Sequence, residues 1–136
     1  MRVFLDTNVL AAALGTRGLC ADLLAAVIED HEPIICNALL TELRRVLAEK
    51  FNLPPDLVSG YIGLLEARGR HAEEFGTDQA GWRSRIPDPD DVPLIAAALE
   101  GQVQYFVTGD KALLGVSRVS DLPIISPRQL WDLQQA

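Results

Sequence analysis

The chain has 136 residues, 49% of them hydrophobic, and a formal net charge of −7. That length suits one compact domain, residues 1–136, and that hydrophobic fraction excludes wholesale disorder. No apolar run reaches the ~18 residues of a membrane span, and Asp6 interrupts the N-terminus too early for a secretion signal, so a soluble cytoplasmic protein is expected.

Residues 2–5 form an apolar run that ends on Asp6 and reads as a strand. A helix follows, punctuated by Gly15 and Gly18, and Leu19, Leu23, Leu24, Val27 and Ile28 then recur at helical spacing. Pro33–Cys36 reads as a short buried strand, with Asn37 as N-cap of a helix carrying Leu39, Leu40, Leu43, Val46 and Leu47 on one face. Pro54-Pro55-Asp56 opens another helix with a Val58, Tyr61, Ile62, Leu65 stripe. Residues 69–76 are compatible with a short strand, and 77–90 read as loop. A helix starts near Asp91, with Pro93 in its first turn, and stops at Gly101. Strand 105–107, a short helix near 111–115, strand 123–125 and a helix from Pro127 complete the order. Strands alternating with helices predict an α/β fold around a mainly parallel sheet.

Right-handed crossovers bring the carboxyl ends of parallel strands to one edge, where ligands bind. Asp6 and Asp110 directly follow strands, while Glu42 and Asp91 sit near helix N-termini that face that edge. Each acid alone has an ordinary explanation. Asp6 is a natural N-cap, Asp88, Asp90 and Asp91 fit a Pro/Asp turn, and Asp110 fits a turn after Gly109. Glu49 lies two helical turns beyond Glu42 and rivals it, but at a greater distance from the sheet edge. The coincidence of four acids at one edge carries the weight. Converging carboxylates repel unless cations lie between them, and hard cations such as magnesium or manganese take oxygen ligands. Two such ions can activate a water and stabilise a leaving oxygen, which suits phosphodiester hydrolysis.

The remaining polar residues are less informative. Cys20 and Cys36 sit in apolar contexts without a C-x-x-C pair, and His31 and His71 are isolated. The negative balance runs against ordinary nucleic-acid-binding domains, which carry a basic surplus, although acids that hold cations would account for part of it. The basic residues, Arg17 among them, are dispersed; Arg44, Arg45 and Lys111 are the candidate phosphate contacts.

At these residues the chain resembles the PIN-domain family over nearly its full length. The markers are Leu5-Asp6-Thr7-Asn8-Val9-Leu10, Leu40-Thr41-Glu42-Leu43, Asp88-Pro89-Asp90-Asp91 with Leu94-Ile95-Ala96, Val107-Thr108-Gly109-Asp110 through Leu114, and Pro123–Arg128. The nearest subgroup is similar to VapC-type toxins of bacterial toxin–antitoxin systems. The resemblance implies a three-layer α/β/α fold and a magnesium- or manganese-dependent ribonuclease. The family's acidic quartet maps onto Asp6, Glu42, Asp91 and Asp110 as catalytic and metal-ligating residues. Its hydroxyls map onto Thr7 and Thr108, with Asn8 in support. A one-residue shift would instead put Asp90 in the third acid's place. Val92 stands where many relatives of this subgroup carry a third consecutive Asp, which weakens a second metal site. An antitoxin partner, a homodimer and an RNA substrate are further implications.

Two other readings stand beside it. A non-catalytic RNA- or protein-binding PIN module is disfavoured by the intact acidic set. A haloacid-dehalogenase-type phosphatase needs a second Asp two positions after Asp6, where Asn8 stands.

Overall fold

The computed structural model describes residues 1–15, 18–75 and 78–135. Arg17 and the 76–77 junction, where the possible strand meets the expected loop, lie outside the described residues. The described residues form a three-layer α/β/α fold around a six-stranded sheet of order β3-β2-β1-β4-β6-β5. The strands are β1 (Arg2–Leu5), β2 (Glu32–Ile35), β3 (Arg70–His71), β4 (Tyr105–Val107), β5 (Arg118–Val119) and β6 (Leu122–Ile125). All neighbours pair in parallel except β5 with β6. The helices are α1 (Thr7–Gly15), α2 (Leu19–Asp30), α3 (Asn37–Glu49), α4 (Pro55–Arg68), α5 (Val92–Glu100), α6 (Lys111–Leu114) and α7 (Pro127–Gln135). None of them is long and apolar enough to cross a membrane by itself.

The central strands are buried on both faces, so they read as unbroken apolar runs rather than alternating ones. Val3, Phe4, Leu5, Phe106 and Val107 are all buried. Leu5 pairs with Val107, and the Phe4 and Phe106 rings stack with centroids 5.1 Å apart, so aromatic contact backs up the ladder between β1 and β4. After β1 the chain builds outward through β2 and β3, then returns to β4 on the other side of β1. The strand order therefore reverses between β1 and β4, which opens a crevice beyond their carboxyl ends.

Several local expectations change. Asn37 is the first residue of α3, not its N-cap; Cys36 holds the cap position without a side-chain bond. Instead, Glu74 Oε1 accepts from the Ala38 N–H at 2.7 Å, so a residue 36 positions away caps this helix. The 69–76 stretch contains β3. The expected loop folds into two 3₁₀ turns, Arg83–Arg85 and Pro89–Asp91, and buries Trp82 and Ile86. Strand β5 carries no sequence signal; two residues are too few for a period. Gly101 ends α5 without a left-handed turn. Its place reflects crowding, because a Cβ there would stand 2.7 Å from Ile34 Cγ2.

Candidate active site

The site begins where β1 ends. Asp6 is only 3% exposed, with its carboxylate held on the strand side of the crevice. Its Oδ1 accepts from the Thr7 N–H at 2.8 Å. Its Oδ2 accepts from Thr108 Oγ1 at 2.8 Å and from Asn8 Nδ2 at 3.3 Å. Thr108 follows β4, so this pair links the two central strands just past their last ladder contact. Asn8 Nδ2 also reaches Thr108 Oγ1 at 3.2 Å, while Asn8 Oδ1 accepts from the Gly109 N–H at 2.8 Å. A Cβ on Gly109 would lie 3.3 Å from that same oxygen, so a larger residue would press Asn8 out of place. Asp110 N–H donates back to Thr108 Oγ1 at 3.1 Å, and Asp110 Oδ1 caps α6 through the Ala112 N–H at 3.0 Å.

The opposite wall comes from helices. Asp6, Thr7, Asn8, Glu42, Arg45, Val46, Lys50, Asp88, Asp91 and Asp110 line one open cleft of about 240 Å³. Glu42 and Val46 on α3 and Lys50 at its C-cap follow at intervals of four, so one helix edge faces the cleft. Asp91 enters from the second 3₁₀ turn as it leads into α5 and makes no capping bond with its side chain. Among the described residues, none of the four carboxylates forms an ion pair.

The electrostatics follow from that crowding. Burial is the main reason the Asp6 carboxyl titrates above its ordinary range, and the charges of Glu42 and Asp110 add to the rise. The bonds from Thr108 and Thr7 oppose it. Asp91 is pushed up to about 7, first by desolvation and then by Asp6, Asp88, Glu42 and Asp110. Asp6 and Asp91 thus resist ionising in this cleft.

A PIN domain model matches residues 2–112. The chain belongs to the PIN domain family. Among solved structures, this PIN domain is similar to a chain in the crystal structure of VapBC2 from Rickettsia felis bound to a DNA fragment from its promoter. The TM-score is 0.66 at 13% identity, covering 93% of this chain and 98% of that one. It is also similar to a chain of VapBC-1 from nontypeable Haemophilus influenzae, with a TM-score of 0.64 at 16% identity, covering 94% and 99%. No curated protein matches it.

The PIN domain's cleft is suited to a hard cation. Its donors are carboxylate oxygens, and Thr7 Oγ1 is buried on the lining without a hydrogen-bond partner among the described residues. Among the described residues, no three Asp, Glu, His or Cys side chains draw together into a ready metal cage.

The other candidates separate. Asp90 does not reach this cleft; it lines an adjoining groove, and its N–H donates to Asp88 Oδ1 at 3.0 Å. Arg45 is on the lining, but Arg44 turns away to Ser59 Oγ at 3.4 Å, and exposed Lys111 is not among the lining residues. Glu49 is solvated and pairs with Arg45 at 3.5 Å, which removes it as a rival to Glu42. Sequence reasoning passed over Asp88 and Lys50 as lining residues. Lys50 was legible at two helical turns beyond Glu42. Asp88 was legible only as an Asx turn before a proline, which says nothing of a cleft.

Proposed function

We propose that this PIN domain is a divalent-cation-dependent endoribonuclease acting as the toxin of a toxin–antitoxin pair. The observation that carries the reading is the cleft itself: Asp6, Glu42, Asp91 and Asp110 arrive from four different elements and share one wall-to-wall space, and among the described residues no cation pairs with them. Asp6, Asp91 and Asp110, with Glu42, would hold magnesium or manganese, which when bound supplies charge neutralisation and activation of water toward a phosphodiester.

The chain's own residues supply the rest. Thr108 and Asn8 fix the Asp6 carboxylate in one orientation, so its free lone pairs face the cleft. Glu42 stands on the helix wall opposite, half-buried, where it orients the attacking water or takes its proton. Thr7 offers an unsatisfied hydroxyl to a phosphate oxygen. Arg45 and Lys50 bring positive charge to the rim, so a polyanion meets attraction at the mouth of an acidic cleft.

A cognate antitoxin fits the same surface, because a partner arginine would find carboxylates suited to charge-assisted contacts. The VapBC complexes among the structural neighbours support that partnership. A homodimer is supported by α4, which leaves Leu57 and Leu64 more than 40% exposed, with open space above Gly60 and Gly63. The protein acts as one domain in the cytoplasm, where its RNA substrate lies.

The deciding experiment sequences RNA ends in cells after induction of the parent and of Asp6→Asn. The parent should create discrete new ends that the variant does not. Matching profiles would remove the nuclease assignment. Calorimetric titration with manganese should give binding heat for the parent and a weaker one for Asp6→Asn.

A further inference from the structure

The acidic cleft is one of three depressions that run into one another. The second, about 450 Å³, shares Glu42 and Arg45 with the cleft and continues between the start of α3 and the second 3₁₀ turn, past Asn37, Thr41 and Asp90. The third, about 340 Å³, shares Pro89 and Pro93 with the second and ends at Phe75, Gln79 and Arg83. Both volumes fall within the ~300–1,000 Å³ of small-molecule sites, so each has room for a nucleoside.

Two features of this path have no role in the fold, and a third is easily released. Phe75 is 75% exposed, far above any other large apolar side chain among the described residues. Its ring therefore stabilises nothing in the core. Arg83 meets only the neutral Gln79 side chain, at 3.4 Å, and pairs with no carboxylate among the described residues. Arg45 stands on the ridge between cleft and groove, and its pair with Glu49 is an exposed one that costs little to exchange. Glu74, the acid on the third depression, is already engaged by the Ala38 N–H.

We propose that these depressions form a track for single-stranded RNA, leading from the cleft past Arg45 and across Pro89 and Pro93 to a base stacked on Phe75 beside Arg83. The inference rests on the ribonuclease reading for the cleft but assigns residues beyond it. Cations spaced along a groove follow a phosphate backbone, and an exposed aromatic gives an unpaired base a face to stack on. Duplex RNA offers no such base, so the track selects single strands and loops. In the middle segment Asn37, Thr41 and Asp90 offer donors and acceptors to one base edge, with Asp90 suited to an exocyclic amine.

The test is fluorescence anisotropy of a labelled single-stranded RNA octamer and of a dinucleotide, in calcium, with the parent, Phe75→Ala and Arg83→Ala. Both positions are exposed, and circular dichroism checks that the variants fold. Phe75→Ala should weaken octamer binding about tenfold, the loss expected for one stacked base, and leave the dinucleotide unchanged. Arg83→Ala should weaken it less and make its salt dependence shallower by about one unit of slope. Octamer binding unchanged in both variants, or absent in the parent, overturns the track; the first result would leave Phe75 to a protein partner. Cleavage is scored separately. Octamer affinity lost in the variants of a parent that never cuts RNA sustains the track and removes the nuclease reading, whereas cutting with no effect of either variant does the reverse.

Discussion

The two walls of the cleft are built on opposite principles. On the strand wall, Asp6, Asn8, Thr108 and Asp110 are tied into one network in which Thr108 Oγ1 donates once and accepts twice. On the helix wall, Glu42 and Asp91 have no side-chain partner among the described residues, and the Asp91 carboxyl is pushed up to about 7. The strand wall is preorganised: its geometry is set by bonds that survive whatever occupies the cleft. The helix wall stores electrostatic cost, which a cation or a partner's guanidinium would relieve. A site that must bind charge reversibly needs both, one wall to position and one to respond.

The largest break in that contrast comes from the strand wall. Asp6→Asn should lower RNA cleavage by roughly 10²–10³-fold, the scale for removing one preorganised electrostatic group, with the far-ultraviolet circular dichroism of the parent. Thr108→Val comes next. It leaves Asp6 Oδ2 with Asn8 alone and the Asp110 N–H without its partner, so it should cost about 1–3 kcal/mol in urea unfolding and roughly 10–100-fold in cleavage.

The helix wall should respond in the opposite sense. The Asp91 carboxyl titrates near 7 when folded against an ordinary 3.8, so between those values the folded chain holds more protons than the unfolded one. Stability therefore falls as pH rises through that window. In chelator, the melting temperature should be higher at pH 5 than at pH 8. Asp91→Asn should remove much of the difference, and added magnesium should restore stability to the parent at pH 8 more than to the variant. An equal or larger pH effect in Asp91→Asn would show that the strain lies elsewhere. The smallest effects belong to the cations. Arg45→Ala should raise KM for RNA severalfold with little change in kcat, whereas Arg44→Ala, whose guanidinium faces Ser59, should leave both within about twofold, as solvated surface changes do.

Much of this was open to sequence reading, and the limits have physical causes. The strand-to-acid junctions at Asp6 and Asp110 were legible because a buried parallel strand is an apolar run and its first polar residue marks the end. The stripes of α3 and α4 were legible from their period. The cap of α3 was not, because its acceptor is Glu74 on a distant loop. Trp82 and Ile86 looked like loop residues because burial by tertiary contact leaves no local pattern.

The order of the main strands and helices, the acids at the strand ends and the PIN family pattern were determined by local sequence alone, since each depends on neighbours a few positions apart. Tertiary structure decided the choice of Asp91 over Asp90 for the cleft, the exclusion of Glu49, Arg44 and Lys111 from it, and the recruitment of Asp88 and Lys50. Those outcomes depend on which way a side chain points once α3 and the 3₁₀ turn have packed. A rotation of one residue reverses them without altering the sequence pattern at all.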